Sequence, residues 1–202
     1  MCGRYYIDYE VDLVFDEIYE SLLADGPKPS GLVEIYPDTK NAVLVAAADS
    51  MQAVWQKWGV RHGNAFLINA RSESIHERVA FRDAFHATRC IVPASGFYEW
   101  TGKRKEKQKY KITTRETGPI YMAGLFIPGA IDRYVIITTE STGDMRFVHH
   151  RSPVLLSQNE SIDYLHDDAH ADALIQRPNG SLLITPDESD GHVQLSFLDL
   201  LP

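Results

Sequence analysis

The chain is poor in cysteine: among 202 residues only Cys2 and Cys90 occur. Two are too few for a disulfide framework or a cysteine-based zinc site. No apolar run approaches the ~20 residues that cross a bilayer, and the polar N-terminus has no apolar secretory segment. Internal repeats are lacking, which sets solenoids aside, and no glycine-rich phosphate loop is present. These absences lead to the expectation of a cytoplasmic protein with no membrane contact. What remains is 44% apolar and 24% charged, enough for one globular domain with a real core. Residues 1–202 are therefore read as a single domain, with an acidic tail from about Pro186.

The net charge is −8, which taken alone speaks against nucleic acid. Its distribution reverses that. Residues 1–50 hold 3 basic and 10 acidic residues, residues 51–156 hold 16 and 9, and residues 157–202 hold 1 and 9. A basic body lies between acidic ends, and local field rather than total charge governs phosphate binding.

The first four residues, Met1-Cys2-Gly3-Arg4, organise the functional reading. Once Met1 is removed, Cys2 carries an α-amine with a pKa near ~8 and a thiol near ~8.5 on the adjacent carbon. Modest local help then deprotonates either group at neutral pH. Such a pair suits an aldehyde: the amine forms an imine, and the thiol closes a five-membered thiazolidine ring. The plainer reading is a small residue opening a first strand.

Along the chain, residues 2–7 read as a strand. Val11, Val14, Phe15, Ile18, Leu22 and Leu23 recur at helical spacing, so a helix is expected over residues 10–24. Residues 26–31 form a Gly/Pro loop, and residues 42–48 a buried strand. Trp55 and Trp58 flank Lys57, the pattern of a platform for unpaired bases as well as of ordinary core. Residues 66–68 form a strand that delivers Asn69-Ala70-Arg71-Ser72-Glu73, where Asn69 suits orienting a substrate and Arg71 gripping a phosphate. Residues 74–85 read as a helix. Residues 89–100 read as two strands broken at Pro93 and Gly96, with Cys90 in the core. On the second strand Tyr98 and Trp100 share one face, and Phe97 and Glu99 the other. Glu99 beside apolar surface is a candidate general acid or base.

The lysine-rich stretch 103–111 is read as an edge strand protected by charge, or as a phosphate-contacting ribbon. Residues 120–127 and 134–139 are further strands. The sequence His149-His150-Arg151-Ser152-Pro153 offers an acid/base pair, of which one histidine faces a pocket if the segment is extended. Ser157-Gln158-Asn159-Glu160 is a capping box that starts a helix through Leu165, and residues 169–175 form a second.

The N-terminal Cys2-Gly3-Arg4, Trp58-Gly59, Asn69-Ala70-Arg71-Ser72-Glu73, the run from Arg89 to Trp100, Ala123-Gly124-Leu125 and His149-His150-Arg151-Ser152-Pro153 occur together in an order that resembles the SOS-response-associated peptidase (SRAP) family of abasic-site-processing proteins. The resemblance covers residues 2 to about 156. It implies an α+β domain with a strongly curved, barrel-like, mostly antiparallel sheet and peripheral helices. It also implies a catalytic set: Cys2 as crosslinking nucleophile, Asn69 holding the N-terminal segment and the opened sugar, Glu99 as acid/base at the imine, and His149 moving protons on the sugar. Arg4, Arg71 and Arg151 are implied at phosphates, and Trp58 along the DNA track. The implied partner is single-stranded DNA, or a single-strand/duplex junction, bearing an abasic site. The protein would act as a monomer, with no metal or organic cofactor, in a bacterial cytoplasm. Removal of Met1 is implied too, hence peptidase and lyase chemistry. Ser152 departs from the family, which usually has Met there. Two other readings of the same residues stay open: an N-terminal-nucleophile cysteine hydrolase using Cys2 and His149, and a non-catalytic single-strand binder.

Overall fold

The computed structural model describes residues 2–22, 29–48, 50–102 and 107–187. Its elements are mostly strands, with helices at the periphery, so the fold is α+β. The most apolar segments form the centre. β8 (Arg89–Ala94) is buried along its whole length, and β11 (Ile120–Ile127) is buried from Ile120 to Leu125. Such strands have both faces covered and read as continuous apolar runs rather than alternating ones.

Five strands close on themselves. β12 (Arg133–Glu140) pairs with β4 (Ser50–Trp58), β4 with β3 (Lys40–Ala47), β3 with β8, β8 with β11, and β11 again with β12. All these pairings are antiparallel except β12 with β4. Closure removes sheet edges and encloses a core that includes Leu44, Trp58, Ile91, Ala123, Tyr134 and Ile136. Gly124 fits where β8, β11 and β12 converge: a Cβ there would press on Cys90 Sγ and Val135 O, each at 3.0 Å. The Ala-Gly-Leu motif thus has a packing origin.

The chain leaves this barrel at Ser95 and enters a second sheet, ordered β15-β10-β9-β1-β2. Its strands are β1 (Tyr5–Asp8), β2 (Leu32–Ile35), β9 (Gly96–Thr101), β10 (Gln108–Thr114) and β15 (Leu182–Pro186). Ser95 fastens the transition: its amide donates to Tyr6 O and its hydroxyl accepts from the Asp8 amide, both at 2.9 Å. Beside it, Gly96 admits Tyr6, whose hydroxyl would lie 2.4 Å from an added Cβ. In register, Tyr5 faces Phe97 and Tyr6 faces Gly96. This pairing carries the N-terminal segment alongside Glu99.

The expected elements at residues 120–127 and 157–165 appear closely as read, and Ser157 and Glu160 form the expected reciprocal cap of α4 (Gln158–His166). α5 (Asp168–Gln176) likewise matches. Elsewhere the structure corrects the reading. α1 spans only Val14–Glu20, because residues 9–12 form a turn in which the Val11 and Asp12 amides bond Asp8 O. The helix expected over 74–85 is a 3-10 turn (Ser72–Ser74) followed by α2 (Val79–Ala87). Pro93 does not break its strand. It pairs with Tyr121 on one side, while pairing with β3 ends at Ile91, so the missing N–H leaves no ladder bond unmade.

β10 is not an edge, since β15 pairs outside it with Ile112 opposite Ile184. Its lysines lie over aromatic faces instead: Lys109 is 3.8 Å from the Tyr98 ring centre, and Lys111 is 4.3 Å from that of Tyr6. Residues 103–106, the first half of the 26–31 loop (26–28) and the tail beyond residue 187 fall outside the described residues. Among the described residues, no helix is long and apolar enough to cross a membrane.

Candidate functional site

Cys2 is fully buried and precedes β1. Its carbonyl accepts a 2.9 Å hydrogen bond from Asn69 Nδ2. Asn69 opens β7 (Asn69–Arg71), which runs parallel to β12 with Asn69 opposite Ile136. The barrel wall therefore fixes the amide that fixes the N-terminus. Asn69 Oδ1 is buried and has no hydrogen-bond partner among the described residues, so an acceptor remains beside Cys2.

Glu99 is buried on β9, on the same strand face as Phe97, while Tyr98 and Trp100 lie together on the other with ring centres 6.4 Å apart. Both halves of that alternation match the sequence reading. The Glu99 charge acts on two partners. Burial first, and then Glu99, push the Cys2 thiol far above its ordinary value. This corrects the expectation that the thiol is readily deprotonated: in the form with Met1 attached it is held as the thiol. Cys90 is buried too, and burial pushes its thiol up as well.

His149 follows α3 (Met145–Val148) in extended conformation. Burial lowers its pKa below the ordinary 6.5, with Glu99 opposing. Its Nδ1 lies 3.0 Å from the Arg151 amide nitrogen and 3.1 Å from Arg151 O. The amide can only donate. The neutral ring therefore accepts at Nδ1 and carries its proton on Nε2, where it serves as a hydrogen-bond donor. His150 stacks on it with ring centres 4.3 Å apart.

The predicted DNA contacts divide. Arg71 is exposed and lines a cleft of about 480 Å³ with Glu140, Ser141, Arg146, His150 and Arg151. Arg151 itself is buried and already committed: it pairs bidentately with Glu73 at 2.8 and 2.9 Å and donates to Thr138 O at 2.5 Å. Its fork is filled by protein rather than by phosphate, so its part is to brace the His149 segment. Trp58 is also a correction. It is 0% exposed, donates from its indole to Ile68 O at 3.0 Å, and stacks on Tyr134 with the planes 8° apart. A ring with both faces packed offers no platform for a base. The half-buried Trp55 packs edge-on against Tyr19.

Arg4 is partly exposed. Its guanidinium bonds Glu34 at 3.1 Å and lies 4.3 Å from the Tyr36 ring centre and 4.9 Å from that of Trp100. Glu34 also accepts from Lys109 at 2.5 Å and Tyr36 at 2.8 Å. This cluster ties the N-terminal segment to β2 and β10, and sequence periodicity gave no sign of it. Burial pushes the Glu34 carboxyl up, but Lys109, Tyr36 and Arg4 outweigh it and the net shift is downward. An unfolded glutamate titrates near ~4.3. The cluster's contribution to stability is thus complete above that value and is lost as pH falls through the lower folded value. Urea midpoints measured from pH 7 downward should fall less steeply for Glu34→Gln than for the unsubstituted protein in the acid limb below about pH 4.3.

Ser152, the departure from the family pattern, is buried and accepts from Asn179 Nδ2 at 3.0 Å. Asn179 also donates to Pro153 O and accepts from the Leu155 amide. A polar clamp therefore holds β13 (Arg151–Pro153) from beneath, and residue 152 does not face solvent. Among the described residues, no group of three or more His, Cys, Asp or Glu side chains is placed to hold a metal ion.

The curled barrel thus brings a buried Cys2 onto Asn69 and within the field of Glu99, which also reaches His149. The chain belongs to the SOS response associated peptidase (SRAP) family, whose model matches residues 1–186. It is 29% identical to the abasic site processing protein YoaM of Bacillus subtilis over 94% of this chain and 88% of that protein. To YoqW of the same organism, also named an abasic site processing protein, it is 30% identical over 82% of this chain and 80% of that one. Among solved structures, a Bordetella bronchiseptica protein superposes with a TM-score of 0.73 at 22% identity, covering 93% of this chain and all of that one. That likeness concerns the fold alone.

Proposed function

We propose that this protein processes abasic sites in DNA, capturing the lesion in single-stranded DNA through a covalent thiazolidine formed by Cys2. The observation that carries the reading is the shared field of Glu99 on Cys2 and His149, together with the Asn69 anchor on the Cys2 carbonyl. The family membership and the relatives' names support the same substrate.

While Met1 is attached, the Cys2 nitrogen is an amide and cannot form an imine. Its hydrolytic removal, by this site or by an aminopeptidase, comes first. The abasic sugar equilibrates between a closed hemiacetal and an open aldehyde. Opening breaks the bond from C1′ to the ring oxygen. The imidazolium form of His149 gives a proton to that oxygen and is left neutral, the C1′ hydroxyl proton goes to Glu99, and the proton later lost from nitrogen on imine formation recharges His149. The freed Cys2 amine attacks the aldehyde carbon, and Glu99 returns a proton as water leaves to give the imine. Because burial holds the thiol protonated, the amine acts first. The thiol then adds to the imine carbon, its proton moving to the nitrogen by way of Glu99. Aldehyde, amine and thiol thus become a thiazolidine and one water. Ring closure is intramolecular, which favours it strongly. It also removes the iminium that would drive β-elimination and strand cleavage. Asn69 Oδ1 is available to hold the opened sugar.

Intact mass spectrometry of Met1-free protein with a single-stranded oligonucleotide containing one abasic site tests this. The expected product has the combined mass less one water and survives denaturation. Salt-sensitive binding without a covalent product would instead favour a non-catalytic binder. Cleavage of peptides in the absence of DNA would favour the hydrolase.

A further inference from the structure

Phe147 is 84% exposed, the most exposed of the large apolar side chains among the described residues. A single apolar side chain in water is unremarkable in itself. Its position is what matters. It sits two residues before His149 on a segment tied down by hydrogen bonds. Met145 is buried beneath it, the Phe147 amide bonds Asp144 O at 3.0 Å, and the His149 amide bonds Met145 O at 2.9 Å. Arg146 Nε donates to Ser141 O at 2.9 Å, fastening α3 to the strand before it.

Arg146 and Ser141 also line the 480 Å³ cleft that holds Arg71 and His150. Ser141 is 2% exposed, and its hydroxyl is buried with no hydrogen-bond partner among the described residues. An unmade buried hydrogen bond costs free energy, and a ligand oxygen would remove that cost. The cleft's charge favours an anion. Arg151 is neutralised by Glu73, which leaves Arg71 and Arg146 against Glu140.

We propose that Phe147 and this cleft form a nucleotide subsite next to the reaction centre. The Phe147 ring stacks on the base of a nucleotide adjoining the lesion, and Arg146 and the Ser141 hydroxyl take its phosphate. The base must be unpaired, since a duplex offers no free base face. The subsite rests on the DNA-processing reading and deepens it by assigning a preference for a lesion with an intact neighbouring base. It also supplies the platform that Trp58, being buried, cannot.

The test uses labelled single-stranded oligonucleotides in which a tetrahydrofuran residue replaces the abasic sugar. It has no aldehyde, so binding is read without crosslinking. With normal bases on both sides, Phe147→Ala should bind about fivefold to a hundredfold more weakly than the unsubstituted protein. That loss should vanish when a second tetrahydrofuran removes the base on one side of the lesion, and remain when the other side is altered. Phe147→Trp should restore affinity. Arg146→Gln should weaken binding whichever neighbour is present and flatten the salt dependence by about 0.7 in log–log slope. Unchanged affinity of Phe147→Ala, or a loss indifferent to both neighbouring bases, overturns the subsite. If the unsubstituted protein crosslinks abasic DNA while Phe147→Ala binds normally, only the subsite fails. If the unsubstituted protein neither binds nor crosslinks, the parent reading fails with it.

Discussion

Cys2→Ala, tested in Met1-free form on abasic single-stranded DNA, should yield no product that survives heating in denaturant, and Cys2→Ser should behave the same way. Both variants keep the α-amine, so both should still form an imine that borohydride traps. Neither can close the sulfur-containing ring. Intramolecular closure corresponds to effective molarities of roughly 10⁵–10⁸ M, so losing the thiol removes the step that makes capture durable. The iminium then persists, and strand cleavage by β-elimination should rise in both variants relative to the unsubstituted protein. Denaturing gels with and without borohydride read both effects. A heat-stable adduct of Cys2→Ala formed without reductant would sink the assignment of Cys2.

Arg89→Leu should lower stability by about 3–5 kcal/mol, because buried carbonyls left without a donor cost roughly 1–3 kcal/mol each. Arg89 opens β8 with its side chain 5% exposed. Its guanidinium donates to Tyr164 O at 2.5 Å and Leu165 O at 3.3 Å near the end of α4, and to Phe85 O at 2.7 Å near the end of α2. It also pairs with Asp168 at 2.7 Å at the start of α5. The last carbonyls of a helix lack intrahelical partners and carry partial negative charge, so one cation caps two helices and joins a third. Leucine fills the space but leaves three carbonyls without a donor. Arg89→Lys should rescue only a fraction, because an ammonium cannot reproduce the planar fork. Urea unfolding gives the comparison. A midpoint for Arg89→Leu within error of the unsubstituted protein would show that water replaces the cap.

The strands and helices that could be read in advance were those whose neighbours impose nothing unusual. The run 120–127 is apolar throughout and became a central strand. The Ser157/Glu160 pair is a local hydrogen-bond motif and capped its helix as expected. Two of the misread segments, β10 and the strand holding Pro93, were decided by contacts distant in sequence. β10 looked like an edge, but β15 arrives from seventy residues away to cover it. Pro93 looked like a breaker until the partner on one side stopped short of it. The site behaved similarly. Cys2, Asn69, Glu99 and His149 could be nominated as residue types, whereas the fates of Trp58 and Arg151 could not. An indole beside a lysine suits a base platform or a core equally well, and the stacking of Tyr134 decides between them. A guanidinium next to a histidine suits a phosphate until Glu73 occupies it.

By itself the sequence determined which groups are within reach: a thiol on Cys2 with, once Met1 is removed, an amine on the adjacent carbon, and a carboxylate and an imidazole elsewhere in the chain. Those properties are covalent and need no fold. Only the tertiary structure decided which of these groups share a field, that burial pushes both thiols up, and which cations are already neutralised. Such outcomes depend on distance and on the exclusion of water, and the barrel's closure sets both.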